Sequence, residues 1–457
     1  MKTLEILAAE LSTGATSSRQ LVEDCLERIA DHRGEGARTF QKVHAEAARA
    51  AADYHDQLRR IGAAASAWAG IPVSIKDLFD ISGDVTTAGS KVLREAAPAR
   101  RDAPVVARLR SAGFVPIGRT TMTEFAFSGL GLNPHYGTPR NPFDRARGRI
   151  PGGSSSGAAV SVTDQMAYGA IGTDTGGSCR IPAAFCGIVG FKPTAARVPL
   201  AGTFPLSTTL DSVGPLAASV ACCATLDAIL AAEADTAQDG MPVRGLRLAV
   251  PACYVMDDLD PHVARSFQRT MTRLAQAGAD IREIPLAELE ELPHINRKGG
   301  FAAAEAYAVH RARLARSLSD YDPRVSARIL RGREQDAADY LELQDARRNL
   351  KERVDRLLAD FDVVAMPTTP IIAPTFDDVA ADADYGRLNL LALRNPTVTN
   401  ILDRCAISLP CHEAGSAPVG LMLMGHRYQD RRLLRIAATV EALVAPRGGE
   451  GRSGRIP

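Results

Sequence analysis

From about residue 65 onward, short apolar runs alternate with glycine-rich loops and helical segments, and this rhythm constrains the fold most. Ile71-Pro72-Val73-Ser74-Ile75, Phe114-Val115-Pro116-Ile117 and Tyr168-Gly169-Ala170-Ile171 are each too short for a helix, and a helical stretch spans 103–112 between two of them. Strands alternating with helices imply an α/β sheet, whose active-site loops sit at strand ends.

Outside that region the chain reads as mostly helical. Ser17-Ser18-Arg19-Gln20 resembles a capping box, and Leu21, Val22, Cys25, Leu26 and Ile29 follow at helical spacing. An alanine-rich helix is expected over 46–60, and helices dominate 216–361, with one strand at Leu246-Arg247-Leu248-Ala249-Val250. The stretch 336–361 sets Leu341, Leu343, Leu350, Val354, Leu357 and Leu358 among charges, which reads as an amphipathic helix with a solvated face. Strand-like runs return at 363–367, 405–409 and 419–423, so the C-terminal part is expected to rejoin the same sheet. The Gly- and Arg-rich tail after Pro446 reads as disordered.

Composition removes several function classes. Fifty-four Lys and Arg against 53 Asp and Glu leave a formal charge of +1, with no bias toward nucleic acid or an anionic membrane. The longest apolar run, 216–232, contains Asp227 and suits a buried helix better than a membrane span. The first residues lack the layout of a secretory signal. Eight cysteines without a Cys-x-x-Cys pair read as free buried thiols in a reducing cytoplasm, and no His-x-x-x-His spacing supports a zinc site.

Two glycine-serine runs carry the chemistry. Gly153-x-Ser155-x-Gly157 matches a nucleophile-elbow pattern, but Arg147-Gly148-Arg149-Ile150-Pro151 before it makes a poor strand. In the second run, Gly172-Thr173-Asp174-Thr175-Gly176-Gly177-Ser178, an apolar strand precedes the loop and a helix can start at Ile181. Backbone N–H groups of Thr175, Gly176, Gly177 and Ser178 could converge on one cavity as an oxyanion hole. Each good donor there lowers a barrier by roughly 3 kcal/mol. His135 and His426 lie in no recognisable triad context, whereas Lys76 closes the run 71–75 and could project from a strand end as a base.

Gly-Ile-Pro-Val-Ser-Ile-Lys-Asp at 70–77, the Gly-Gly-Ser-Ser-Ser-Gly run and the Gly-Thr-Asp-Thr-Gly-Gly-Ser-x-Arg run occur in that order, and together they resemble the amidase signature family. The likeness continues through 187–194, 211–216, 366–370 and 417–421, nearly the whole chain. It implies an α/β amidase signature fold, a large mixed β-sheet surrounded by helices. One domain over 1–445 is expected: a signature core at about 65–216, a helical cover at 217–361 and returning strands at 362–445.

The resemblance also implies a Ser-Ser-Lys triad with Lys76 as base, Ser154 as relay after a cis peptide, and Ser178 as nucleophile. The 24-residue spacing of the two serines fits the family pattern and favours Ser154 over Ser155 and Ser156. The residues around Ala126, Phe127 and Ser128 are placed beside the acyl pocket, although Phe125 and Phe127 suit a core equally well. Asp174 and Arg180 are structural supports; Arg180 could instead meet a substrate carboxylate, with bracing the preferred role. The segment 299–333 is expected to cover the cleft.

The expected activity is hydrolysis of a small-molecule, non-peptide amide in the cytoplasm. No cofactor, metal, nucleic acid or membrane is implied, and a homodimer is left open. The alternative is the glutaminase subunit of a tRNA-dependent amidotransferase, which shares the triad. The stretch 394–403 looks closer to stand-alone amidases.

Overall fold

The computed structural model describes residues 1–233 and 240–445, so the tail expected to be disordered lies outside the described residues. Eleven strands among the described residues form one sheet. They are β1 Phe40–Val43, β2 Pro72–Lys76, β3 Val115–Thr120, β4 Gly169–Thr173, β5 Val189–Lys192, β6 Val213–Ala217, β7 Arg247–Pro251, β8 Asp280–Ile284, β9 Val363–Pro367, β10 Ala406–Pro410 and β11 Gly420–Met424. Their spatial order is β1-β3-β2-β4-β6-β5-β10-β11-β9-β7-β8. The pairs β3/β2, β2/β4, β9/β7 and β7/β8 are parallel and the others antiparallel, so the sheet is mixed.

Strands β2, β4, β9, β10 and β11 are buried along their whole length. Such strands carry side chains into a core on both faces, which is why they read as continuous apolar runs. Alternation then divides the faces: Leu421 and Leu423 join one apolar cluster, Met422 and Met424 another. The C-terminal strands complete the sheet from its middle, since β10 lies between β5 and β11.

The apolar run near 216–232 forms the helix Val220–Ala231, and its buried Asp227 pairs with Arg197 at 2.7 Å. No helix among the described residues is long and apolar enough to cross a membrane. Seven of the eight free cysteines are buried.

Two local readings need correction. Ser17 Oγ accepts the Gln20 N–H at 3.1 Å, but Gln20 Nε2 donates to Asp24 Oδ1 (2.7 Å) instead of returning its side chain to the cap. Half of the box is therefore present. The segment 216–361 also holds a second strand, β8, at the sheet edge beside β7. Its Asp-Ile-Arg-Glu-Ile sequence stays partly exposed, so it lacks an apolar-run signature.

Candidate active site

The parallel pairing of β2 with β4, Ser74 opposite Ala170 and Ile75 opposite Ile171, brings two strand ends to one edge. Lys76 ends β2 and Thr173 ends β4, so both side chains enter the same region. Lys76 is fully buried, and its Nζ donates to Ser154 Oγ and to Thr173 Oγ1, each at 2.8 Å. Among the described residues, no carboxylate bonds to it. Burial pulls the Lys76 pKa down to about 8, although the charges of Cys179, Asp174 and Asp211 oppose that shift.

Ser154 follows a cis peptide from Gly153. Its loop is laced into place: Gly153 N–H donates to Gly129 O (2.8 Å), Ser154 O accepts from Thr123 N–H (3.1 Å), and Ser155 N–H donates to Ser178 O (3.3 Å). The helix Ser156–Thr163 begins immediately after, and Ser161 Oγ meets Ser74 Oγ at 2.8 Å, seating this helix on β2. No strand directly precedes the Gly153-x-Ser155-x-Gly157 run, and Ser155 Oγ is buried against Thr173 O at 3.4 Å. The elbow pattern is thus a helix start.

The loop carrying Ser178 is organised by Asp174. Its carboxylate accepts from Gly177 N–H (2.8 Å), Cys179 N–H (3.0 Å), Arg180 Nε (3.0 Å) and Nη2 (2.8 Å), and Asn400 Nδ2 (3.0 Å). Burial alone would raise this carboxyl, but the Arg180 guanidinium holds it well below the usual range. Arg180 also donates to Pro396 O (3.0 Å) and Asn400 Oδ1 (2.7 Å). Every nitrogen of this fully buried guanidinium is engaged by protein, so Arg180 braces the loop and has none left for a substrate carboxylate.

The Gly177 N–H, one of the four expected to converge on the cavity, is committed to Asp174 Oδ1. Glycine is still required at 177: its φ is +127°, and a Cβ would lie 2.5 Å from Pro396 Cβ. Thr175 Oγ1 donates to Asp211 at 2.5 Å, and Leu206 N–H (3.0 Å) and Ser207 N–H (3.1 Å) fill the same carboxylate. Burial pushes Asp211 up to about 6 despite these bonds.

Ser178 opens onto a cavity of about 660 Å³, whose wall includes Ala126, Phe127, Ser128, Thr175 and Gly176. Phe127 therefore faces the cavity, while Phe125 belongs to the core, packed on Phe204 (5.2 Å) and His310 (4.3 Å). The cover is built by the helices Gly300–Ser317 and Pro323–Leu330, and Gly299, Ala302, Ala303, Arg328 and Arg331 line the cavity from that side. Glu305 ties the cover to the floor by accepting from Ser207 Oγ (2.5 Å) and Tyr340 OH (2.6 Å). His135 is occupied by Glu124 (2.9 Å) and His426 by Phe361 O (2.8 Å). No group of three or more His, Cys, Asp or Glu among the described residues could hold a metal ion.

Sequence reasoning missed Thr173, Asp211, Asn400 and Glu305 as site builders. Thr173 stands inside the glycine-rich run directly before Asp174, and Asp211 and Asn400 lie in the family-like stretches 211–216 and 394–403, whereas Glu305 carried no such signal.

A buried lysine at a strand end, bonded to one serine and close to a second serine loop that lines the cavity, fits a class of C–N bond hydrolase. The amidase family profile matches residues 20–434, and the chain belongs to that family. It is 37% identical over 449 residues to 2-amino-5-chloromuconic acid deaminase from Comamonas testosteroni, covering 96% of this chain and 95% of that one. It is 34% identical over 486 residues to a glutamyl-tRNA(Gln) amidotransferase subunit from Chromohalobacter salexigens, covering 95% of each. A solved amidase crystal structure superposes with a TM-score of 0.88 at 31% identity, covering 97% of this chain and 100% of that one.

Proposed function

We propose that the protein hydrolyses a carboxylic amide through an acyl-enzyme on Ser178, with a Ser154–Lys76 proton relay. The observation that carries this reading is the fully buried Lys76 Nζ–Ser154 Oγ contact of 2.8 Å. Neutral Lys76 takes a proton from Ser154 Oγ as Ser154 takes one from Ser178 Oγ, so the direction of that hydrogen bond reverses without a change in separation. Ser178 Oγ attacks the carbonyl carbon, and N–H groups of Thr175, Gly176 and Ser178 face the developing oxyanion. The intermediate collapses by breaking the C–N bond, and the leaving amine receives the proton back through Ser154. Water then enters, gives its proton to the same relay and cleaves the ester. Thr173 holds the Lys76 amine between two hydroxyls, and Asp174 with Arg180 fixes the loop.

The amide reading holds over the amidotransferase reading, because the deaminase relative is more similar to this chain than the amidotransferase relative is. Residues 1–445 act as one domain, since β1–β6 and β7–β11 join through the β5/β10 pair into one continuous sheet. The free thiols favour a cytoplasmic site of action.

The test measures release of ammonia or amine from primary amides, anilides, hydrazides and urea derivatives. At least one class should be cleaved, with Ser178→Ala slower by about 10⁴-fold or more. Near-normal turnover in Ser178→Ala would sink the scheme.

A further inference from the structure

The cavity over Ser178 has a one-sided charge. Five arginines line it, Arg297, Arg328, Arg331, Arg387 and Arg394, and none of its described lining residues is acidic. Four of them have protein partners. Arg297 meets His294 Nε2 (3.1 Å), Arg331 donates to Arg297 O (2.6 Å), Arg387 to Asp384 (3.2 Å) and Arg394 to Asp257 O (2.6 Å).

Arg328 differs. Its guanidinium carbon lies 4.7 Å from the Phe127 ring centroid, and its Nε is buried with no hydrogen-bond partner among the described residues. No described carboxylate sits beside it: the nearby charged or polar groups that bear on its titration are Tyr385 and Arg331, and burial lowers its pKa. Arg324, one helical turn earlier, is by contrast paired with Asp382 at 2.8 Å.

The position of Arg328 is also fixed. Asp322 N–H, at the start of the helix Pro323–Leu330, donates to the buried Glu124 Oε2 at 2.8 Å. Glu124 belongs to the same loop as Phe127, so helix and loop hold the guanidinium against the ring. Arg328 keeps partial exposure, but its Nε is cut off from solvent and from protein acceptors, so the guanidinium stays incompletely satisfied unless a ligand supplies a counter-charge. A planar guanidinium offers a carboxylate two parallel N–H donors.

We propose that the substrate amide carries a carboxylate, and that Arg328, stacked on Phe127 in the cavity wall, seats it. The proposal rests on the amide-hydrolase reading and names the substrate class that this site selects. Arg328 is then a specificity-determining residue, and the reacting groups remain those around Ser178.

The test compares amides that differ only by a terminal carboxylate in place of a methyl group: malonamate with propionamide, succinamate with butyramide, glutaramate with valeramide. The wild type should prefer the carboxylate member of at least one pair by roughly 30- to 100-fold in kcat/KM. Arg328→Met, which keeps the apolar stem on Phe127, should abolish the preference while changing turnover of the neutral member less than about threefold. Arg328→Lys should restore part of it. A wild type indifferent to the carboxylate, or an Arg328→Met that loses both members equally, overturns the proposal.

Calorimetric binding of the same carboxylates to Ser178→Ala, with and without Arg328→Met, separates the two levels. Arg328-dependent binding without cleavage by the wild type keeps the anion site and ends the hydrolase scheme for these amides. Cleavage without preference keeps the scheme and ends the anion site.

Discussion

Two arginines near Ser178, Arg180 fully buried and Arg328 partly exposed, are treated in opposite ways by the fold. Beneath the cavity, Arg180 engages every nitrogen with Asp174, Pro396 and Asn400, and its carboxylate partner fixes the Ser178 loop. In the cover, Arg328 has an aromatic ring on one face and an orphaned Nε. An ionic group saturated by protein serves architecture, because removing its partner leaves a bare charge in the core. A rigid ionic group left unsaturated at a cavity wall invites a ligand. The floor is therefore committed to one chemistry, while the cover chooses who reaches it.

The largest effect that would test this division belongs to the floor. Lys76→Ala should reduce kcat by about 10⁴-fold, and Ser154→Ala by clearly less, because water can partly replace a relay hydroxyl. Steady-state kinetics reads both; equal losses would place the two residues in equivalent roles. Next comes stability. Asp174→Asn leaves Arg180 buried without its counter-charge, and denaturant unfolding should show a loss of about 3–5 kcal/mol. Arg328→Met should change the same quantity by less than about 1 kcal/mol. Comparable losses in the two variants would erase the contrast between the two arginines.

A third test is the pH profile. Burial depresses the Lys76 pKa to about 8, and the proposed relay uses the neutral amine. Activity should therefore rise about tenfold per pH unit below that value and level off above it. A profile that falls through this range would exclude Lys76 as the base. The smallest effect concerns Thr173→Val, which removes one of the two hydroxyls holding the Lys76 amine. A loss of about tenfold in kcat, with KM little changed, is expected from one hydrogen bond of positioning.

Much of this site is visible in the sequence because close backbone approach demands glycine, and glycine clusters leave a mark. The runs at 152–157 and 172–178 and the apolar strand ending at Lys76 announce themselves in this way. The use made of a given N–H does not. That Gly177 serves Asp174 depends on the direction of one peptide plane, which no residue pattern encodes.

Four strands were also hidden, each for a physical reason. Phe40–Val43 and Asp280–Ile284 sit at sheet edges with polar, partly exposed side chains. Val189–Lys192 ends in a buried lysine, and Val213–Ala217 contains glycine and proline, so neither shows a clean strand period. Arg328 is one arginine among many on an amphipathic helix. Its lack of a partner is a property of the folded neighbourhood alone.

The bond from Arg180 to Asn400 joins residues 220 positions apart, and β10 enters between β5 and β11 only after both ends of the sheet exist. During synthesis the reacting residues leave the ribosome early, but the brace for their loop follows roughly 10–40 s later at ordinary elongation rates. A nascent or prematurely terminated chain would hold Lys76, Ser154 and Ser178 without the partner that shapes the Ser178 loop. The Ser178 loop can therefore acquire its full set of braces only after the residues around Asn400 have been synthesised.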